Sequence, residues 1–535
     1  MCGIIFLVKY DDKLDTHVIV HSHDQLIPRG PDKQNSFRIQ ESNADMFFGF
    51  SRLSIMDTSD DGLQPFSDND GNIVICNGEI YNHKDLAKTF DLKLITKCDC
   101  EVILPLFQKN NFQDTINLFD AEFALILFDK KNQAVYAARD RFGVRPLFYG
   151  YNSLTKTYGF ASEIKAFHNI MEHIEPVEPN KFYQLSLPTI SVEIKEYYDY
   201  RSIIAYPSIN VVEYIQNMIR DIFTEAVAKR LFSDRPIGFL LSGGLDSSLI
   251  VAIAARILGP DNIVCFSIGL EDSPDVIASK IVTAHLGIKK HHIIKFDVEE
   301  GITAIPDVIR ATETYDITTI RASVPQYIMA KYISQKTDIR VVLSGEGSDE
   351  IHGSYRYFRD APNGLEFHRE TIRLLKELYM FDNLRTDRTM SGNGLEVRVP
   401  FLDFEYVQFI KRIDPNLLMY RTDYMEKKII RDSFVGYLPT EILYRSKEAF
   451  SDAVSSTEIN WYKTIQKKAA EIITSGELDN NPFKINKPKT LDALYFRRIF
   501  NSIYPERDNV ISHYWLPRFQ SVEVVDPSAT VLKCY

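Results

Sequence analysis

Cysteine and tryptophan are scarce in this chain: six and two residues respectively are spread over 535 positions. Cysteine this sparse excludes a disulfide-stapled scaffold. Cys98-Asp99-Cys100 has no second pair of metal ligands near it in the sequence, so the spacing of a zinc module is missing too. A reduced, cytoplasmic setting is expected. Long apolar runs are also missing, since none reaches the ~18 residues of a membrane-crossing helix. Met1–Tyr10 has neither a basic start nor a small-residue cleavage site, so no secretory leader is expected. Positive charge is in deficit. Lys and Arg total 62 against 73 Asp and Glu, a net charge of −11. That excludes the diffuse cationic surface with which proteins hold nucleic acid or anionic lipid. An acidic substrate would need a local basic pocket.

What remains is an ordinary globular composition, 45% hydrophobic and 25% charged. The length suggests two to four domains at about 150 residues each. From Met1 to about Tyr200, short strand-like stretches such as "GIIFLV", "NIVICNGEIYN" and "FALILFD" are separated by turn clusters such as "SDNDGN". One helix interrupts them, with an N-cap expected at Asp99 or Thr96 and apolar positions at Val102, Ile103, Leu106 and Phe107. This pattern predicts antiparallel sheets layered with helices. After about Ser208, strands alternate with helices: "IGFLLS", "SSLIVAIAARIL", "NIVCFSIG", and a helix starting at Ser273-Pro274 and stopping at Gly287. Alternation of this kind predicts a parallel sheet covered on both faces. The expected domains are 1–200 and 201–535, joined through "YYDYRSIIAYPSIN" at 197–210, with a mostly helical region beyond Tyr355.

The most informative stretch joins a strand to a helix through Ser242-Gly243-Gly244-Leu245-Asp246-Ser247-Ser248. Glycines let the backbone turn tightly and bring its N–H groups close to an anion, and the helix N-terminus adds partial positive charge. The alternative is a plain strand-to-helix turn. A Walker loop is excluded, because its lysine is missing. A carboxylate, Asp246, stands where a cation would be expected, which points to a Mg²⁺ ion between it and the phosphates. A second loop follows "VVLS" and reads Ser344-Gly345-Glu346-Gly347-Ser348-Asp349-Glu350. At a strand's carboxyl end its acids suit metal binding and proton transfer; otherwise it is a solvated turn.

Cys2 raises a different possibility. Removal of Met1 would give it a free α-amino group with a pKa of ~7.7–8.0, able to accept the thiol proton. Nucleophile and base would then come from one residue. The plain reading is a small hydrophobe at the start of a strand. Four other residues offer complementary chemistry. Asn77 and the Gly78 N–H could stabilise an oxyanion, Arg52 offers a fork for an α-carboxylate, and Asp99 a partner for an α-ammonium. Singly, these are also an Asn-Gly turn, a surface ion pair and a helix cap.

"MCGI", "RGPD" (29–32), "SRLSIMD" (51–57), "CNGEIYNH" (76–83), "CDCEVIL" (98–104), "ARDRFGVRPLFYG" (138–150) and "FASEIKA" (160–166) together resemble the class II glutamine amidotransferase domain. That resemblance implies an N-terminal-nucleophile (Ntn) hydrolase αββα sandwich and a cysteinyl thioester on Cys2. It implies a glutamine site at Arg52, Leu53, Ser54, Ile55, Met56, Asn77, Gly78, Glu79 and Asp99. SGGLDS resembles the pyrophosphate loop of N-type ATP pyrophosphatases, which implies a doubly wound parallel sheet with extra helices. With "ETYDITTIRASVPQY" (313–327), "LRTDRTMSGNGLEVRVPFLD" (384–403) and "RSKEAFSDAV" (445–454), the chain as a whole resembles the glutamine-hydrolysing asparagine synthetases.

The resemblance implies that L-aspartate and ATP form β-aspartyl-AMP, which ammonia from L-glutamine converts to asparagine. It implies ATP contacts at Leu241, Ser242, Gly243, Gly244, Asp246, Ser247, Ile268, Ser344 and Gly345, and Mg²⁺ on Asp246 and Asp349. Glu346 would support adenylation and deprotonate ammonia, Lys447 would neutralise the departing pyrophosphate, and Arg398 would hold aspartate. A tunnel for ammonia and a homodimer are further expectations. The chain departs from the familiar pattern at His352 and Ser354, and locally in "PRGPD" and "MSGNG", which puts substrate packing and rate in question. The competing readings are an amidating enzyme of the same framework acting on another carboxylate, a cyclising enzyme like the β-lactam synthetases, and a nucleotide-binding assembly protein without turnover.

Overall fold

A computed structural model describes residues 1–41, 43–167, 169–199, 207–270, 273–420, 424–446, 460–519 and 524–526. It divides into two compact units. The first comprises Met1–Asp199 with Ser233–Arg235 and Ser391–Glu396, and the second the rest of the chain. Of the expected linker, residues 200–206 lie outside the described residues.

The first unit holds twelve strands in two sheets. They are β1 (Gly3–Tyr10), β2 (Lys33–Glu41), β3 (Ala44–Arg52), β4 (Phe66–Ser67), β5 (Ile73–Ile80), β6 (Ala121–Asp129), β7 (Ala134–Arg139), β8 (Phe148–Asn152), β9 (Thr157–Ala161), β10 (His173–Pro176), β11 (Lys181–Ser186) and β12 (Ser191–Glu196). One sheet runs β10-β8-β9-β1-β3-β2 and the other β12-β11-β7-β6-β5-β4, and their pairs are antiparallel. Alternate residues of facing strands meet in one core: Ile4, Phe6 and Val8 from β1 pack with Ile75 from β5 and Phe128 from β6. The opposite face of β5, at Val74 and Cys76, packs under the helices α2 (Ile103–Lys109) and α3 (Phe112–Asn117). The helix α1 (Thr16–Asp24) lies on β3 of the other sheet. The layers are therefore helix, sheet, sheet, helix. Strands buried on both faces explain why "GIIFLV" reads as an unbroken apolar run rather than an alternating one.

In the second unit, β13 (Ile237–Leu240), β14 (Val264–Gly269), β15 (Lys290–Lys295), β16 (Val341–Leu343) and β17 (Glu396–Arg398) form a sheet in the order β15-β14-β13-β16-β17. The pairs β13–β14, β14–β15 and β13–β16 are parallel. Four helices connect them: α4 (Leu245–Leu258), α5 (Pro274–Leu286), α6 (Val298–Thr312) and α7 (Ile317–Lys336). The α5 boundaries follow from the residues at its ends. The Ser273 side chain accepts from Val276 N–H, Pro274 occupies the first turn, and Gly287 takes a left-handed φ of 72°. The chain leaves β13 toward one edge and returns to β16 on the other side of β13. The loops after β13 and β16 thus flank a switch in strand order, the place where open parallel sheets bind ligands.

One local expectation is corrected. The helix placed at Asp99 or Thr96 starts as a single 3₁₀ turn over Asp99–Val102 after Cys98, and no side chain caps it. The Asp99 carboxylate instead accepts the Ile80 N–H at 2.6 Å, so it ties the turn to the end of β5.

Candidate active sites

Cys2 precedes β1 and packs at the edge of the core between the two sheets. Its thiol donates to the Leu53 carbonyl at 3.7 Å, and its own carbonyl accepts from Arg29 Nε at 2.9 Å. Arg29 is fully buried and is paired with Glu163 at 2.8 Å and bonded to Ser391 Oγ at 2.9 Å. Ser162 Oγ accepts from Ile4 N–H at 3.1 Å. "RGPD" and "FASEIKA" therefore serve to hold the first strand in place. Gly30 must be glycine, because a Cβ there would lie 2.1 Å from the Ser51 carbonyl oxygen.

Met1 is buried, with its amine 3.4 Å from the Leu395 carbonyl and its sulfur against the Arg145 guanidinium. Burial lowers the pKa of that amine to about 6. Burial likewise pushes the Cys2 thiol up to about 11, so with Met1 in place the sulfur is protonated at neutral pH. The "ARDRFGVRP" segment is a self-supporting loop: Asp140 accepts from the N–H groups of Phe142, Val144 and Arg145 at 2.9–3.1 Å. This loop delivers Arg145 to Met1 and to Glu122, 3.0 Å away.

Asn77 lies on β5 and shares with Ile75 the face that looks into the space between the sheets. It is 1% exposed, and neither atom of its amide has a hydrogen-bond partner. A buried amide without partners costs ~1–3 kcal/mol, so it marks a place where a ligand completes the bonding. Gly78 follows, and a Cβ there would stand 2.5 Å from the Glu122 carbonyl oxygen across the ladder. Glu79 and Asp99 are buried nearby on β5 and its contacting turn.

Arg52 is buried beside the expected glutamine loop. Its guanidinium gathers the carbonyls of Ser59 at 2.5 Å, of Met56 at 3.5 Å and of Asp57, which folds Leu53–Ser59 around it. In this structure the fork therefore shapes the expected glutamine loop. Leu53, Ile55 and Met56 are buried in that loop, and Ser54 N–H donates to Asp32 at 2.8 Å.

In the second unit the two glycine loops open on one cavity. Leu241, Ser242, Gly244, Asp246, Ser247, Ile268, Ser344 and Gly345 line it, together with Glu346 and Asp349. Gly243 does not line it. At a φ of 75° this residue turns toward α5, where a Cβ would stand 2.5 Å from the Ser279 nitrogen. Its task is to let the loop pass the helix closely. The hydroxyls of Ser242 and Ser247 are 3.1 Å apart and close the turn.

Lys427, which the sequence reading missed, reaches 2.7 and 2.8 Å from the Asp246 carboxylate oxygens and 2.7 Å from Asp349 Oδ1. Two carboxylates converging on one cation form a hard-oxygen site that suits a divalent ion. Ser348 Oγ donates to Asp246 at 2.7 Å, and the Ser354 hydroxyl donates to Asp349. The departure at Ser354 thus props one expected metal ligand. His352 lies behind, linked to Ser348 Oγ at 3.1 Å and to the Tyr406 hydroxyl at 3.0 Å. Burial holds its ring pKa well below the ordinary value.

Glu346 is paired with Arg385 at 2.6 Å, and Arg385 also meets Asp382 at 2.9 Å. Arg398 is not on this wall. It is fully buried and donates to the carbonyls of Arg230 and Phe232 at 3.1 and 2.6 Å, so the aspartate contact expected of it is not where its side chain lies. Among the described residues, Arg385, Arg431 and Arg445 are the guanidinium groups that line the cavity. Lys447 lies outside the described residues. Lys427 and Arg385 fall in helical text without a glycine signature, and only their partners in the fold single them out.

Comparison with known proteins finds two family models on the chain. The sequence model of the glutamine amidotransferase domain matches residues 1–219, and that of asparagine synthase matches 218–366 and 359–518. A probable glutamine-hydrolysing asparagine synthetase of Acanthamoeba polyphaga mimivirus is 59% identical over 99% of this chain and all of its own length. The glutamine-hydrolysing asparagine synthetases of Gallus gallus and Homo sapiens are 40% and 38% identical, each over 100% of this chain and 99% of theirs. The chain belongs to the glutamine-hydrolysing asparagine synthetase family.

Proposed function

We propose that the first unit hydrolyses L-glutamine and the second uses the ammonia to make L-asparagine from L-aspartate and ATP, with AMP, diphosphate and L-glutamate as the other products. The observation that carries the glutaminase half is the unpartnered Asn77 amide on the face shared with the core edge where Cys2 packs. Loss of Met1 would leave an α-amine on Cys2 itself, and this amine takes the thiol proton as sulfur attacks the glutamine amide carbon. Asn77 Nδ2 and the Gly78 N–H then stabilise the oxyanion. Ammonia leaves, and water cleaves the thioester to glutamate. Asp99 holds the α-ammonium, and Arg52, which also shapes the loop Leu53–Ser59, holds the α-carboxylate.

In the synthetase half, an aspartate β-carboxylate oxygen attacks the α-phosphorus of ATP and diphosphate departs. Ammonia then attacks the acyl carbon and expels AMP. The loop N–H groups at Ser242–Ser247 and the start of α4 cradle phosphate. Asp246 and Asp349 would hold Mg²⁺, which when bound offsets phosphate charge. Arg385 positions Glu346 to accept the proton lost by ammonia. Lys447 is proposed at the diphosphate on the family resemblance alone.

A cytoplasmic location is proposed because the five cysteines among the described residues are free thiols. No helix among those residues is long and apolar enough to cross a membrane. A homodimer is proposed as well, to be tested by sedimentation. The functional test is product analysis with aspartate, ATP, Mg²⁺ and glutamine. Asparagine, AMP and diphosphate should form in equal amounts. Diphosphate formation with other carboxylic acids but not with aspartate would overturn the reading.

A further inference from the structure

Three cysteines outside the catalytic set lie together in the first unit. In sequence, Cys98 and Cys100 lack a second ligand pair, but β5 brings Cys76 to them through the fold. Cys76, Cys98 and Cys100 pack in one buried cluster. Asp99 lies between, with its carboxylate oxygens 3.9 Å from Cys98 Sγ and 3.7 Å from Cys100 Sγ. Ligand atoms of Cys98, Asp99 and Cys100 all fall within 4.8 Å of one another. Two thiolates on a tetrahedral zinc ion stand about 3.8 Å apart, so a contraction of at most about 1 Å seats an ion. All four residues are buried, with cysteine exposures of 1–6%.

We propose that Cys98, Cys100 and Asp99, with Cys76 alongside, form a site for a thiophilic metal ion, Zn²⁺ by preference, and that filling it switches off glutamine use. Sulfur donors with one carboxylate suit Zn²⁺ and exclude Mg²⁺, which takes oxygen ligands. Coordination converts each ligating thiol to a thiolate and releases its proton to solvent. The link to activity runs through two contacts. The Cys100 thiol donates to the Gly78 carbonyl at 3.7 Å, and that donor is lost in the thiolate. Asp99, bonded to Ile80 N–H, is the carboxylate assigned to the glutamine α-ammonium, and a metal ion would claim it. The binding site stands on its own geometry; the effect on activity rests on the function proposed for the same pocket.

The test uses the full-length chain, reduced and freed of metal with chelator. Cd²⁺ serves as an optical probe through its thiolate charge-transfer band, and Zn²⁺ as the competitor. One Cd²⁺ per chain should bind, be displaced by Zn²⁺, and bind at least 10-fold more weakly in Cys98→Ser and Cys100→Ser. Cys265→Ala and Cys2→Ala should bind as the parent does. Equal binding by Cys98→Ser and Cys100→Ser, or loss in Cys2→Ala, overturns the site. X-ray absorption of the Zn²⁺-loaded parent needs no variant: a sulfur shell at about 2.3 Å supports the site, and a shell of oxygen and nitrogen alone overturns it. Zn²⁺ at one equivalent should suppress glutamine-dependent synthesis more than 10-fold while ammonia-dependent synthesis continues. Binding with glutamine use unchanged would overturn the switch and leave the metal site standing. Failure of the parent to use glutamine without added metal would instead fault the proposed function.

Discussion

The ammonium of Lys427 bonds both carboxylate oxygens of Asp246, at 2.7 and 2.8 Å. Asp246 lies in the first turn of α4, where the partial positive charge of the helix start already favours a carboxylate. Lys427 supplies the remaining counter-charge, and its third bond, to Asp349, keeps two like charges from repelling each other.

Replacing Lys427 with methionine should therefore leave two carboxylates facing each other without a cation. Unfolding of the second unit should become easier by about 2 kcal/mol, less than for a fully buried pair because both carboxylates keep some exposure. Thermal unfolding with and without Mg²⁺ checks this. Millimolar Mg²⁺ should recover most of the loss in the variant and change the parent little. A variant insensitive to Mg²⁺ would argue against a metal site at Asp246 and Asp349.

Asn77→Ala separates stability from catalysis. The amide gains no bond from the fold, so its removal should leave the unfolding midpoint unchanged or slightly raised. Loss of one oxyanion donor should lower kcat for glutamine hydrolysis by about 10²–10³-fold. Ammonia-dependent synthesis should continue at the parent rate, and steady-state assays with each nitrogen donor read the difference.

Gly243→Ala places a methyl group 2.5 Å from the Ser279 nitrogen in a left-handed backbone conformation. The backbone term alone costs ~1–2 kcal/mol, and the loop must also lift from α5. The KM for ATP should rise at least 10-fold with glutaminase unchanged, as measured by diphosphate release and glutamate release in parallel.

His291 gives a pH dependence of stability. Its Nε2 lies 2.8 Å from Ser267 Oγ, which donates to the carbonyl of Leu241, a residue lining the cavity. Burial lowers the ring pKa from 6.5 to about 4. Between those values the unfolded chain binds the proton and the folded chain does not, so stability falls as pH drops from 6.5 toward 4. His291→Gln should flatten the thermal-unfolding midpoint across that window. An unchanged slope would remove His291 as its source.

Much of this was legible in the residues because each feature has a local cause. Strand-to-helix loops need glycine and short polar side chains, so Ser242–Ser248 and Ser344–Glu350 declared themselves, and the Ser-Pro and Gly ends of α5 did the same. What the residues did not reveal is non-local. Arg398 and Arg52 are forks of the right chemistry, but backbone carbonyls of Phe232 and Ser59 claim them in the fold. The helix-start signal at Asp99 was overridden by Ile80 N–H, brought in from β5. Lys427 and Arg385 acquire meaning only from Asp246 and Glu346, 181 and 39 residues away in sequence.

The division of labour between the two units is tested most directly by Cys2→Ala. Asparagine, AMP and diphosphate are measured with glutamine and then with ammonium as the nitrogen source, in the variant and in the parent freed of Met1. The variant should make no asparagine from glutamine and should match the parent with ammonium. Asparagine formation from glutamine by the variant, or loss of synthesis with both donors in a folded variant, would contradict the account.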